Sequence, residues 1–265
     1  MPMLVTITAI TITATMITAI TIMITTITPM TITMGTSMGI EEGNLSRLLI
    51  WFSPAFPIGA FSFSHGLEWA VEAGDITDRD SLQAWLGALV RHGSGWSDAV
   101  LFSVSHRATE ARDPKRLAEV AELAVALQPS KERRLEATMQ GDAFVKAVET
   151  AWENPGLVAL RAASDPPYAL AVAAGAASAG AGVEREESLR AFLTGFCQNL
   201  VSAAVRLAPI GQSDGLRVLA ALEPSIALTA SKAACATIKD VGGLAIRSDI
   251  ASMRHETQMT RLFRS

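Results

Sequence analysis

Cysteine is nearly missing from this 265-residue chain: Cys197 and Cys235 stand far apart and belong to no Cys-x-x-Cys pair. That excludes a disulfide framework and a thiolate zinc site, and it fits a reducing cytoplasm. Aromatic residues make up only 6%, with a single tyrosine. Sheets draw on aromatic and β-branched side chains, so the alanine-rich sequence after residue 80 favours helices. Positive charge is not in excess either, with 22 Lys and Arg against 26 Asp and Glu, which leaves no electrostatic footprint for nucleic acid. The four histidines, His65, His92, His106 and His255, never lie three or four positions apart. No single helix therefore presents a paired metal site, and no metal or cofactor is expected. His65 and Glu68 share a helical face, but two ligands leave a site poorly defined.

Residues 1–40 lack charge altogether and alternate Ile with Thr, as in Ile10-Thr11-Ile12-Thr13. The period is that of a strand. No Lys or Arg precedes the apolar part, which argues against a signal peptide. Frequent threonine and Pro29 argue against a membrane span, and the apolar run at 169–182 is shorter than the roughly 20 residues a span needs.

Helix signals fill the rest. Asn44 or Ser46 caps a first helix through Phe52, ended by Pro54. Ser64 is the candidate cap of a helix through Glu72, stopped at Gly74. Asp78 or Asp80 opens the next, and Gly93-Ser94-Gly95 breaks the chain before Ser97-Asp98 leads a helix to Ala111. Asp113-Pro114 opens another to Leu127. Lys131-Glu132-Arg133-Arg134-Leu135-Glu136 begins a long helix to Trp152 and reads as a solvated charged face with a possible partner contact. Pro166-Pro167 divides the chain. The small residues of 169–182 predict a buried central helix approached closely by its neighbours. Glu184–Glu187 opens the next helix, followed by Ser213–Leu222, Pro224 to about Lys239, and Asp249 into the tail. The expected fold is all-α, a single-domain bundle of about ten helices over residues 41–265, preceded by a 1–40 leader that is disordered or a mis-annotated start.

Three stretches carry more than helix signals. Ser53–Glu68 contains Pro54, Phe56, Pro57, Gly59, Phe61, Phe63, Ser64, His65, Gly66, Leu67 and Glu68. Its prolines and glycines forbid a regular helix, yet three of the chain's nine phenylalanines lie there, so it must dock on its own domain or on a partner. Gly211-Gln212-Ser213-Asp214-Gly215 fits the Gly-x-Ser-x-Gly expression of a hydrolase. That chemistry needs a strand before the serine, whereas Ala203–Leu207 reads as the end of a helix broken at Pro209. Ser213 or Asp214 then serves as a helix cap. Finally, Arg254-His255-Glu256 and Arg261-Leu262-Phe263-Arg264-Ser265 set two bulky apolar residues among arginines.

Three stretches in this order, Ser53–Glu68, Val205–Gly215 and His255–Ser265, resemble the UreF family of urease accessory proteins, and the resemblance covers roughly residues 44–265. It implies a non-enzymatic helical scaffold that links a UreD/UreH-type accessory protein to the GTPase UreG for nickel insertion into the urease apoprotein. It also implies a homodimer. The motif residues Pro54, Phe56, Pro57, Gly59, Phe61, Ser64, Gly66, Leu67 and Glu68, with Pro209, Gly211, Gln212, Asp214 and Gly215, would be structural or interfacial. In the family the tail orders on binding a second accessory protein, so Arg254, His255, Glu256, Arg261, Leu262, Phe263, Arg264 and Ser265 are expected at a partner interface. Folding of Leu262 and Phe263 back onto their own bundle is the alternative. A different reading makes the chain a direct regulator of the GTPase, with Arg254 or Arg261 as an arginine finger. A helical serine hydrolase using Ser213 is a third.

The resemblance also suggests an origin for the leader. In many urease operons the upstream gene encodes a nickel chaperone with a His/Asp-rich tail, and His and Asp codons read one nucleotide later give Ile, Thr and Met. Residues 1 to about 33 are accordingly read as that tail out of frame, with Met34 or Met38 as the start. A nucleotide sequence without a His-rich upstream frame would sink this reading.

Overall fold

A computed structural model describes residues 42–265, and the expectations for residues 1–40 lie outside them. Helix follows helix from α1 (Glu42–Trp51) through α2 (Leu67–Glu72), α3 (Arg79–His92), α4 (Ser94–Glu110), α5 (Pro114–Ala126) and α6 (Lys131–Ala151). The second half holds α7 (Pro155–Ala163), α8 (Leu170–Gly180), α9 (Arg185–Leu207), α10 (Gln212–Cys235) and α11 (Ile246–His255). Short 3-10 turns cover Ala60–Ser62 and Ile238–Asp240, and no strand occurs among the described residues. The fold is all-α.

Several ends form where the caps predict. Asp78 accepts from Ser81 N–H in a capping box at the start of α3, Asp113 precedes Pro114 at α5, and Ser130 caps α6. The small-residue stretch becomes α8, which is buried nearly throughout and packs against α4, α6 and α7. Its alanines let those backbones come close.

Several boundaries differ from the sequence reading, beginning with α1, which starts at Glu42 and so contains Asn44 and Ser46 rather than being capped by them. α4 starts at Ser94 rather than at Ser97-Asp98, because only Gly93 leaves helical geometry. Asp98 is thus an interior residue of α4 instead of a cap. Asn154-Pro155 starts α7, which the sequence reading passes over: Asn154 accepts from Leu157 N–H and donates to the Ala177 carbonyl. The helices expected on either side of Leu222 are one continuous α10, with Pro224 inside it on the exposed side. A proline inside a helix costs about 3 kcal/mol, but Val218, Leu222, Ile226, Ala230 and Ala233 make one unbroken buried face across it. Length and composition would also let α10 cross a membrane, but here that face packs on α9, α3 and α4. Lastly, α11 stops at His255, and the residues beyond it are irregular.

The turn into α2 is built from left-handed residues. His65 has φ 63° and Gly66 has φ 77°. A Cβ on Gly66 would also stand 2.7 Å from the Ser252 nitrogen of α11, so glycine is required there twice over. Gly66 rather than Ser64 is therefore the cap position of α2, although the Ser64 hydroxyl still accepts from Glu68 N–H at 3.3 Å. Within the opening segment Phe56 and Phe63 are buried while Phe61 stands out in solvent.

Candidate functional site: the buried tail cradle

The residues after α11 return to the bundle and end in a cradle of three glutamates. Glu68 lies on α2, one turn past the left-handed corner. Glu132 and Glu136 lie on the first turns of α6, four positions apart and so on one face. Glu68 Oε1 accepts from Leu262 N–H at 2.6 Å, and Oε2 accepts from Phe263 N–H at 2.9 Å. Glu132 Oε1 accepts from the Arg261 guanidinium at 2.7 Å. Glu136 Oε2 accepts from the Ser265 hydroxyl at 2.9 Å and from Arg133 at 2.7 Å.

His255 closes the cradle from α11 and is fully buried. Its Nδ1 lies 2.6 Å from Glu132 and its Nε2 3.0 Å from Glu68. Both ring nitrogens thus face carboxylate oxygens, one from α6 and one from α2. Two guanidinium groups stand in the same cluster, Arg133 against Glu136 and Arg261 against Glu132. Such matching is what a buried charge cluster needs. Glu256 completes the junction by accepting from Lys131 N–H at 2.8 Å at the start of α6, where the helix dipole favours a carboxylate.

The rest of the tail is held by backbone and packing. Arg264 N–H donates to the Ser62 carbonyl at 2.8 Å, and Ser64 N–H donates to the Ser265 carbonyl at 2.6 Å. The Ser64 hydroxyl donates to the same Ser265 oxygen. Phe263 is buried, with the Arg206 guanidinium 4.3 Å above its ring centre. Leu262, in contrast, is 64% exposed, and Arg254 and Arg264 are exposed and enter no ion pair among the described residues.

The structure therefore divides the sequence-predicted tail residues. Phe263, expected in a partner's pocket, is packed in its own bundle, as are His255 and Ser265. Arg254, Leu262 and Arg264 remain available, together with the exposed apolar face of α11 formed by Ile246, Ile250 and Met253. The charged start of α6 is another correction. Glu132 and Glu136 are buried partners of the tail, and Arg133 is buried between Glu136 and His65, so they form no solvated face, while Arg134 is exposed. Their spacing was the available signal, since an acid, a base and an acid at positions 132, 133 and 136 share one side of a helix. Pro209, Gln212 and Asp214 form the corner between α9 and α10. Gly215 is buried there against Val201, and Asp214 pairs with Arg217 at 2.8 Å. Ser213 lies in the first turn of α10, exposed, with no strand before it.

Next to the cradle lies a cavity of about 90 Å³ lined by Trp51, Phe144, Phe192, Asp98, Gln140 and Arg133, and roofed by Ser53, Pro54 and Ile58 of the opening segment. His65 borders it. Its Nε2 lies 2.6 Å from the Ser94 hydroxyl, and its Nδ1 accepts from Arg133. Burial first, and then Arg133, push His65 down to about 4. Burial would raise Glu136, but Arg133, His65 and Ser265 outweigh it and hold that carboxyl at about 2. Asp98 faces the cavity rather than bulk water, so it is enclosed without being fully packed. Burial pushes it up to about 6, against the pull of Arg133 and with the help of Glu136.

These shifts act on stability in opposite directions. Glu136 and His65 are depressed, so their contributions are present at neutral pH and are lost as pH falls, through about 4 for His65 and about 2 for Glu136. Asp98 is raised, so its contribution is present at low pH and is lost as pH rises from 3.8 through about 6. Asp98→Asn is therefore expected to raise the melting temperature at pH 7.5. At about 1.4 kcal/mol per pKa unit, the gain is at most about 3 kcal/mol. The gain should shrink toward nothing near pH 4. Thermal melts at the two pH values check this, and an equal gain at both would refute the assignment.

Comparison with known proteins supplies the identity. Residues 76–223 match the UreF family profile. The chain is 49% identical over 233 residues to the urease accessory protein UreF of Rhodopseudomonas palustris (strain HaA2), covering 88% of this chain and 98% of that protein. It is 50% identical over 225 residues to the urease accessory protein UreF of Bradyrhizobium diazoefficiens, covering 85% and 93%. For that of Bradyrhizobium sp. (strain ORS 278) the identity is 51% over 227 residues, covering 86% and 94%. The chain belongs to the UreF family. Among its described residues no three His, Cys, Asp or Glu side chains group so as to hold a metal ion. What this UreF-family chain offers instead is a tail clamped by charge, with an arginine- and leucine-bearing outer face.

Proposed function

We propose that the protein serves in urease maturation as a non-enzymatic scaffold. It joins a UreD/UreH-type accessory protein to the GTPase UreG so that nickel, the cargo, reaches the urease apoprotein. It acts as a dimer in the cytoplasm. One observation carries the reading most: Arg254, Leu262 and Arg264 face solvent, and on α11 Arg254 follows the exposed Ile246, Ile250 and Met253. Arginine beside large apolar side chains is the composition of interface anchors. Joining two partners through one rigid body couples their occupancy, which is the task of a scaffold.

Co-purification with the UreD/UreH-type protein tests this, comparing the full chain with one ending at Met259. Because the tail also holds the bundle together, Leu262→Asp with Arg264→Glu is the cleaner variant, since both side chains are exposed. Recovery of the partner is expected to fall at least tenfold with the fold intact. Undiminished recovery by both altered chains would remove the tail from the interface.

The regulator reading is separated by Arg254→Ala, because Arg261 is already engaged by Glu132. A scaffold loses binding on this change; an arginine finger keeps binding and slows GTP hydrolysis.

A further inference from the structure

We propose that the groove holding Leu262–Ser265 is a peptide-recognition site, able to take this segment in trans from a second copy of the chain. It goes beyond the scaffold reading and does not depend on it. The groove wall comes from elements other than the helix that carries the tail. Ser62, Ser64 and Glu68 belong to the opening segment and α2, Glu132 and Glu136 to α6, and Arg206 to α9.

The mode of capture is that of a bound peptide. Two successive backbone N–H groups, of Leu262 and Phe263, are taken by one carboxylate, that of Glu68. The next two residues exchange backbone hydrogen bonds with Ser62 and Ser64, on either side of the extended Phe63, as peptides do when they add to an exposed stretch of backbone. Phe263 supplies the buried anchor, and Arg261 and the Ser265 hydroxyl supply the polar selectivity. Backbone capture gives affinity to any extended segment; the phenylalanine pocket and the two glutamates restrict it to a sequence like this one. A second copy is thus the occupant with every matching group already in place.

The tether back to α11 is short, held at its start by Glu256 on Lys131 N–H and by Gln258 on Glu72, and open beyond them. Met259 is 99% exposed, and Thr260 is exposed as well. A tether of that length gives an effective concentration on the order of millimolar, so the chain's own tail wins while it is free to bind. Once that tail is weakened or drawn away, the groove is open to the tail of another copy.

The test uses purified full-length protein alone. A fluorescently labelled synthetic peptide spanning residues 258–265 is titrated into wild-type chain and into Phe263→Ala, whose own tail has lost its anchor. Anisotropy is expected to show saturable binding to Phe263→Ala at least tenfold tighter than to wild type. A peptide with Phe263→Ala should bind at least tenfold more weakly, and adding Arg206→Ala to the protein should weaken binding severalfold. As a second route, a protease site replacing residues 257–260 is cut in the folded chain, the released segment is washed away, and the same peptide is added. Failure of the peptide to bind a folded protein by either route would overturn the proposal, as would equal binding of the Phe263→Ala peptide.

Discussion

Gly141→Ala is expected to lower stability by about 3 kcal/mol, although alanine is the better helix former. Gly141 sits in the middle of α6, where propensity alone favours alanine by about 1 kcal/mol. The added methyl would overlap the Tyr168 carbonyl oxygen and stand 2.8 Å from the Ala169 carbonyl carbon and the Leu170 nitrogen. All three are backbone atoms at the entrance to α8, so no side chain can swing aside. Overpacking of this kind costs about 1–3 kcal/mol, and more where the neighbours cannot yield. At about 2–4 °C per kcal/mol for a domain of this size, the melting temperature should drop by about 6–12 °C. An unchanged or higher melting temperature would mean that α6 and α8 do not approach as described.

Glu68→Ala is expected to be comparably severe, for an electrostatic reason. The substitution leaves the N–H groups of Leu262 and Phe263 and one ring nitrogen of His255 without their acceptor. Each buried donor left without its acceptor costs about 1–3 kcal/mol. The tail would lose its clamp. The melting temperature should fall by about 10 °C. Amide exchange at 262 and 263 should rise to that of open chain, and cleavage near Met259 should quicken. Retained protection at those two amides would show that the tail is held by something other than Glu68.

Much of the fold was legible because its signals are local. Asp78, Asp113-Pro114 and Ser130 start helices through side-chain and backbone chemistry within four residues, and they do so here. The small residues of α8 announced close packing by their size. What escaped sequence reasoning depended on partners distant in the chain. Pro224 reads as a break, yet the buried face from Val218 to Ala233 carries α10 through it. Glu132 and Glu136 read as solvated because His255, Arg261 and Ser265 lie more than a hundred residues further on, and Arg133 because its partner His65 lies far back in the chain. Phe263 reads as a partner's ligand because nothing near it in sequence says that Ser62, Ser64 and Arg206 form its seat. Asp98 was hidden by the shift in the start of α4, which turns a presumed cap into a carboxyl facing a cavity.

The central helix α8 also bears on how the molecule opens. Alanine and glycine have almost no side-chain rotamer freedom to recover on exposure, so loosening α8 regains little entropy there, while the helices packed around it lose their common wall. Its amides should then become reachable by solvent only when α4, α6 and α7 separate together, and should exchange last of all, at the rate of global unfolding. The amides of the tail and of α11 should exchange on a much faster clock, so the bundle keeps its centre while its edge opens.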